Sequence, residues 1–288
     1  MTEPVSMIGI SEISAIYYAL LQKGYEYYRP ERKREHIRAV ESFIGPGSAV
    51  PSFFDDVRQS TCQVYSFWPR AALLEEAALR LLAGEEIGKG SAFYRRVMSA
   101  SNLSDVERGP ELWSWIADLP KALENVFASE GFHRYLEWEQ TWVKEESLHR
   151  SETLSRLTEI LLTCKKRYRS PIERVRLVIQ PIKCVYASDH YRLGEEMLFC
   201  SGGLRRDSVV HEYLHHLIHP CLEQVKKRVT ESKTVYPGID ESYYLEGGPE
   251  GRRNAFEEYA VRRLTERVLS GDYPADLAAF LEEMAERV

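Results

Sequence analysis

The first half of the chain repeats apolar residues at helical spacing. Between residues 11 and 28 they recur every three or four positions, as Ile13, Ile16, Tyr17, Leu20 and Leu21. This spacing is typical of an amphipathic helix with one buried face. The same criterion predicts helices at residues 11–28, 31–44, 51–59, 69–83, 90–100, 111–127 and 131–167, the last of them broken near residues 147–151.

The pattern changes after Pro171. Val175, Leu177 and Ile179 occupy alternate positions, which predicts a strand with one buried face. Shorter strands are predicted at residues 184–187 and 196–200. Helical patterns return at residues 208–219, 221–233, 252–270 and 274–288. We therefore expect an α+β fold that is mostly helical, with a helical region at residues 1–168 and a domain at residues 169–288 that holds a small mixed sheet.

Composition and charge narrow the classes of function. The 288 residues are 44% hydrophobic and 28% charged, as in soluble globular proteins, and the net charge of −6 argues against nucleic acid as a partner. No stretch approaches 18 apolar residues, and the N-terminal residues lack the basic and apolar segments of a signal peptide. We therefore expect a cytoplasmic protein with no membrane partner. Five widely spaced cysteines without a C-x-x-C pair give no reason to expect a thiolate zinc site.

One stretch of the chain indicates a specific chemistry. Residues 211–215 read His-Glu-Tyr-Leu-His, the pattern H-E-x-x-H. On a helix, positions i and i+4 lie on one face, so His211 and His215 can bind the same ion, each at about 2.0–2.1 Å. Glu212 then lies beside the metal, where a general base for water is needed. The stretch predicts a metal centre on a helix.

A catalytic zinc site takes three protein ligands and keeps one position open. His219 continues the straight row of the two motif histidines and cannot close a tetrahedron with them. His216 points about 100° away from its neighbour. Later in the chain, Glu257 falls inside the apolar arc of a predicted helix and Glu258 falls at its margin. A carboxylate in an apolar face needs compensation, and a cation provides it.

Glu257 is therefore the preferred third ligand. Glu258 is the alternative if the helix begins at a different residue. A buried salt bridge with a nearby arginine is the other explanation for the position of Glu257.

Together, the strand, the H-E-x-x-H helix and the later glutamate resemble the zincin metallopeptidases, in particular their glutamate-ligand, or gluzincin-like, branch. Glu257-x-x-Ala260 is similar to the pattern that follows the ligand in several such families, although Val261 stands where many members have Asp or Asn. The resemblance covers residues 174–270. It implies that an edge strand precedes the motif helix, and residues 196–200 are expected to form it.

The resemblance implies a zinc-dependent hydrolase of peptide bonds. In such an enzyme, two histidines and a glutamate hold Zn²⁺ and a water takes the fourth position. Glu212 would accept a proton from that water and return it to the leaving amine. Tyr243, Tyr244 and Tyr236 are candidates to stabilise the tetrahedral intermediate. A peptide or protein substrate would add as a strand to the sheet edge.

Two alternatives stay open. The chain can be a zincin-like scaffold with a binding or regulatory role and little or no peptidase activity. The aromatic helical half can also be the functional part, for instance as a peptide-binding groove.

Overall fold

The structure is a computed structural model that describes residues 3–23, 38, 41–43, 70–99, 110–183, 188–232, 235–239 and 249–286. These residues form eleven helices, one of them a 3-10 helix, and one four-stranded mixed sheet. The predicted α+β, mostly helical fold class is thus confirmed. Within these ranges, no helix is both long and apolar enough to cross a membrane.

Six helices come before the main part of the sheet, and they follow the apolar repeat of the sequence. The break predicted near residues 147–151 lies at Arg150. The helix that ends there begins after Ser129, whose hydroxyl accepts a hydrogen bond from Phe132 N and caps the helix. The helix predicted at residues 51–59, and most of the one at 31–44, lie outside the described residues. The six are α1 (Ser11–Gln22), α2 (Arg70–Leu82), α3 (Ala92–Ser99), α4 (Pro110–Phe127), α5 (Glu130–His149) and α6 (Ser151–Tyr168).

The sheet has the strand order β1-β2-β4-β3. β1, β2 and β4 run parallel, and β3 is antiparallel to β4. The sequence pattern did not predict β1, which is three residues long, or β3, whose residues are mostly polar. The strand predicted at residues 184–187 lies outside the described part of the chain. The strands are β1 (Val5–Met7), β2 (Arg174–Ile179), β3 (Ser188–Leu193) and β4 (Glu196–Ser201).

The expectation that residues 196–200 form the edge strand is wrong. These residues belong to β4, which lies between β2 and β3, and the edge strand before the motif helix is β3. A tight hairpin places β3 there: Leu193 pairs with Glu196, and Gly194 between them has a φ of 59°. A two-residue hairpin turn requires such a positive φ, which glycine adopts without strain.

Helices cover both faces of the sheet. On β4, Leu198 and Cys200 pack with α1–α5, whereas Met197 and Phe199 pack with the later helices. This alternation follows from the two-residue period of a strand. Because β1 pairs with β2, residues from both predicted regions of the chain share one sheet. The later helices are α6, α7 (Arg206–Ile218), a 3-10 helix (His219–Gln224), α8 (Lys226–Glu231), α9 (Pro249–Leu269) and α10 (Leu277–Glu286).

Candidate metal centre

Helix α7 carries the H-E-x-x-H motif, as predicted, and ends at Ile218, before Pro220. Its apolar residues, among them Val210 and Leu214, are fully buried. Their packing fixes the rotation of the helix, so that His211 and His215 lie one turn apart and each keeps part of its surface exposed. The Nε2 atoms of these two histidines are 3.2 Å apart.

Glu258 of α9 completes a triangle with the two histidines. Its Oε2 atom lies 3.4 Å from Nε2 of His211 and 3.4 Å from Nε2 of His215. Donor atoms about 2.0–2.1 Å from one ion at tetrahedral angles lie about 3.3–3.4 Å from one another. The spacing of the three donor atoms therefore fits a single metal ion. Among the described residues, this is the group of His, Cys, Asp and Glu side chains whose donor atoms converge in this way.

The structure reverses the order of preference between the two glutamates. Oε1 of Glu257 accepts a hydrogen bond from Nδ1 of His215 at 3.0 Å, and its Oε2 accepts one from Nδ1 of His219 at 3.0 Å. Nε2 of His215 is then the nitrogen that faces Glu258. Histidine ligands of metals commonly donate their second ring N–H to a carboxylate in this way, which fixes the ring and its tautomer.

Burial alone did not distinguish the two carboxylates, since Glu257 is 9% and Glu258 is 8% exposed. Consecutive residues point about 100° apart on a helix, so the way α9 crosses α7 decides which of them reaches the Nε2 atoms. Among the described residues, Glu257 pairs with His215 and His219 and with no arginine. It is Glu258 that accepts a hydrogen bond from Arg262, at 2.6 Å.

The electrostatics of this cluster favour a positive charge. Burial acts to raise the pKa of Glu257, but hydrogen bonds from His215 and His219 outweigh it and lower the pKa to about 2. The pKa of Glu258 is also lowered, because His211 and His215 outweigh the effect of burial. Burial acts to lower the pKa of His215, but the two glutamates raise it to about 10. The carboxylate of Glu258 thus faces the position that a cation would take, and that of Glu257 lies behind His215.

The edge strand β3 adds a histidine that the sequence analysis missed. Nδ1 of His190 donates a hydrogen bond to Oε2 of Glu212, and its ring stacks on that of His215 with centroids 5.8 Å apart. Burial acts to raise the pKa of Glu212, but this hydrogen bond and the neighbouring histidines lower it. Glu212 is therefore held as a carboxylate, the form that a general base needs.

His216 faces β3 and not the triangle, in agreement with its predicted direction. Its ring and that of His190 form a T-shaped pair with centroids 4.8 Å apart. Burial, followed by nearby positive charges, lowers its pKa to about 3, so the ring is neutral. Among the described groups, no partner bonds to its buried Nε2 atom.

A cavity of about 400 Å³ opens beside Glu212. Its walls are Glu212 and His216 of α7, strand β3, and side chains of α2 and α3. This volume is within the range of sites for small ligands and short peptide segments. The helical half of the chain thus forms one wall of the cleft next to the histidines and glutamates.

Of the three tyrosines proposed to stabilise an intermediate, the structure describes Tyr236. Tyr243 and Tyr244 lie outside the described residues. Tyr236 is 2% exposed and packs against α9, with its ring 5.6 Å from that of Phe256 and 5.4 Å from that of Tyr259. Tyr236 is therefore placed as a core residue.

Comparison of the chain with protein-family models, curated protein sequences and solved structures gives no match. The interpretation of the site therefore depends on the arrangement of its own residues.

Proposed function

We propose that the chain is a zinc-dependent metallopeptidase of the zincin type, with His211, His215 and Glu258 as metal ligands. The observation that carries this proposal is the triangle of donor atoms with sides of 3.2, 3.4 and 3.4 Å. Its nitrogen and oxygen donors suit Zn²⁺, and three ligands leave one tetrahedral position open, as in catalytic sites. Glu257 orients His215 from behind.

The residues around the triangle have the properties that peptide hydrolysis needs. When bound, the ion supplies a Lewis acid that lowers the pKa of water and polarises a carbonyl group. Glu212 follows the first ligand in sequence, is held as a carboxylate, and lines the cleft. It accepts a proton from the attacking water and returns it to the leaving amine. His190 holds the Glu212 side chain towards β3.

Among the described strands, β3 is paired on one side only, with β4, and its outer edge supports a peptide as the substrate. The carbonyl oxygen of Arg192 accepts a hydrogen bond from Arg80 at 3.1 Å, so it points away from β4. Because backbone groups alternate in direction along a strand, those of His190 also point away from β4. An extended peptide can pair with this edge and lie beside Glu212.

The test compares the zinc-loaded protein with its Glu212→Gln variant on a peptide library, with zinc measured in both. We expect about one zinc per chain in each, and a loss of turnover of about 10²- to 10⁴-fold in the variant, the usual contribution of a general base. Equal peptidase activity in the two proteins contradicts the role of Glu212. Bound zinc without any cleavage by either protein favours the alternative of a binding or regulatory scaffold.

A further inference from the structure

Three arginines line the cleft: Arg80 of α2, Arg96 of α3 and Arg192 of β3. Glu76 lies among them and is 4% exposed. It forms ion pairs with Arg80, at 3.2 Å, and with Arg96. Arg80 has a second ion pair, at 3.0 Å, with Glu85, which is not part of the cleft wall. Arg80 and Arg96 thus both have carboxylate partners.

The other two carboxylates of the cleft wall have cationic or histidine partners of their own. Asp189 forms an ion pair with Lys183, which is 3% exposed and also binds Glu75. Glu212 is bonded to His190, beside the candidate metal ligands. Arg192 is therefore the arginine of the cleft wall whose charge is paired with none of the described carboxylates.

Of the three arginines in the cleft wall, Arg192 is the best placed to bind a ligand. Its side chain is exposed, its Nε donates to the carbonyl of Gly194 at 2.9 Å, and it forms no ion pair with any described residue. It lies two positions from His190, on the same face of β3 and about 7 Å along the strand. A peptide paired with β3 would therefore bring a residue near Arg192 within about two positions of the residue beside Glu212.

We propose that this cleft recognises a carboxylate of the substrate, either an Asp or Glu side chain near the scissile bond or the C-terminal carboxylate of a peptide. This inference rests on the proposed peptidase function. A guanidinium group binds a carboxylate through two parallel hydrogen bonds, a geometry that a neutral amide does not reproduce. The substrate class is therefore acidic peptides.

The experiment uses the full-length, zinc-loaded chain and three matched peptide series with Glu, Gln or Lys scanned along the sequence. Each peptide is made with a free and with an amidated C-terminus. The specificity constant kcat/KM is measured for the wild type, and the dissociation constant is measured for the Glu212→Gln variant. We expect Glu to be preferred over Gln by about tenfold or more, the usual effect of one hydrogen bond to a charged group.

Two variants of Arg192 test the assignment. Arg192→Gln should reduce the preference for Glu, and Arg192→Glu should invert it in favour of Lys, while neither substitution breaks an ion pair with a described residue. The matched control is Arg156→Gln, because Arg156 lies on the surface of α6, far along the chain from the cleft residues, with its side chain 59% exposed and paired with Glu152. This control should leave the preference unchanged.

The outcomes separate the two proposals. Loss of the preference on amidation alone assigns the carboxylate to the C-terminus, and loss on replacing Glu by Gln assigns it to a side chain. Cleavage without any acidic preference, or a preference that Arg192→Glu does not change, overturns the inference and leaves the peptidase intact. Acid-selective binding by Glu212→Gln without cleavage by the wild type keeps the inference and overturns the peptidase. Absence of both binding and cleavage overturns both.

Discussion

The two adjacent glutamates of α9 should differ in their effect on metal affinity. Oε2 of Glu258 is 3.4 Å from both histidine Nε2 atoms, whereas Glu257 bonds the far nitrogen of His215. Glu258→Gln removes the charged ligand, and Glu257→Gln only weakens the hydrogen bond that orients the ring. Both substitutions keep the size of the side chain, so packing in α9 is conserved.

The magnitudes follow from what each substitution takes away from the metal centre. Structural zinc sites with four ligands have apparent binding free energies of about 10–16 kcal/mol, or about 2.5–4 kcal/mol per ligand. Glu258→Gln should therefore weaken zinc binding by about 10²- to 10³-fold. Loss of a carboxylate behind a histidine ligand usually costs about 10- to 100-fold, which is the expectation for Glu257→Gln.

A chelator competition measures both affinities, and thermal unfolding provides a second readout. At a free zinc concentration 100 times the dissociation constant, the wild type gains about 2.7 kcal/mol, which raises the Tm of a chain of this length by about 4–5 °C. Glu258→Gln should lose nearly all of this increase at the same zinc concentration. A larger loss of affinity in Glu257→Gln than in Glu258→Gln would refute the ligand assignment.

Two further predictions concern the fold around the cleft. A Cβ atom at Gly131 would overlap the carbonyl oxygen of Phe43 and lie 2.6 Å from the Tyr18 hydroxyl. Gly131→Ala should therefore lower the free energy of unfolding by about 1–3 kcal/mol. An unchanged midpoint of urea unfolding would contradict this close packing. Burial, opposed by hydrogen bonds from Ser14, Tyr135 and Gln180, raises the pKa of Glu139 above 4.5. The folded state therefore holds the carboxyl proton of Glu139 more tightly than the unfolded state does. The contribution of this proton to the free energy of unfolding is complete below pH 4.5 and is lost as the pH rises through the raised pKa. Glu139→Gln should gain in stability relative to wild type over that interval in urea titrations, and a difference independent of pH would refute the reasoning.

Local features of the sequence determined much of the fold. The 3.6-residue period of apolar side chains predicted the helices that became α4, α5 and α6, because an amphipathic helix must bury one stripe. The spacing of His211 and His215 predicted that both rings share a face of α7, since four residues make about one turn. Alternation in β2 likewise predicted a strand. Each of these depends only on neighbours in the chain.

The tertiary structure decided the composition of the site. Periodicity placed Glu257 inside the apolar arc and Glu258 at its margin, and only the crossing of α9 over α7 brings Glu258 to the Nε2 atoms. The polar strand β3 had no recognisable pattern, yet its hairpin with β4 brings His190 to Glu212. Likewise, α2 is more than a hundred residues from the motif and still forms a wall of the cleft. These arrangements depend on packing between distant segments, which the order of residues along one element does not encode.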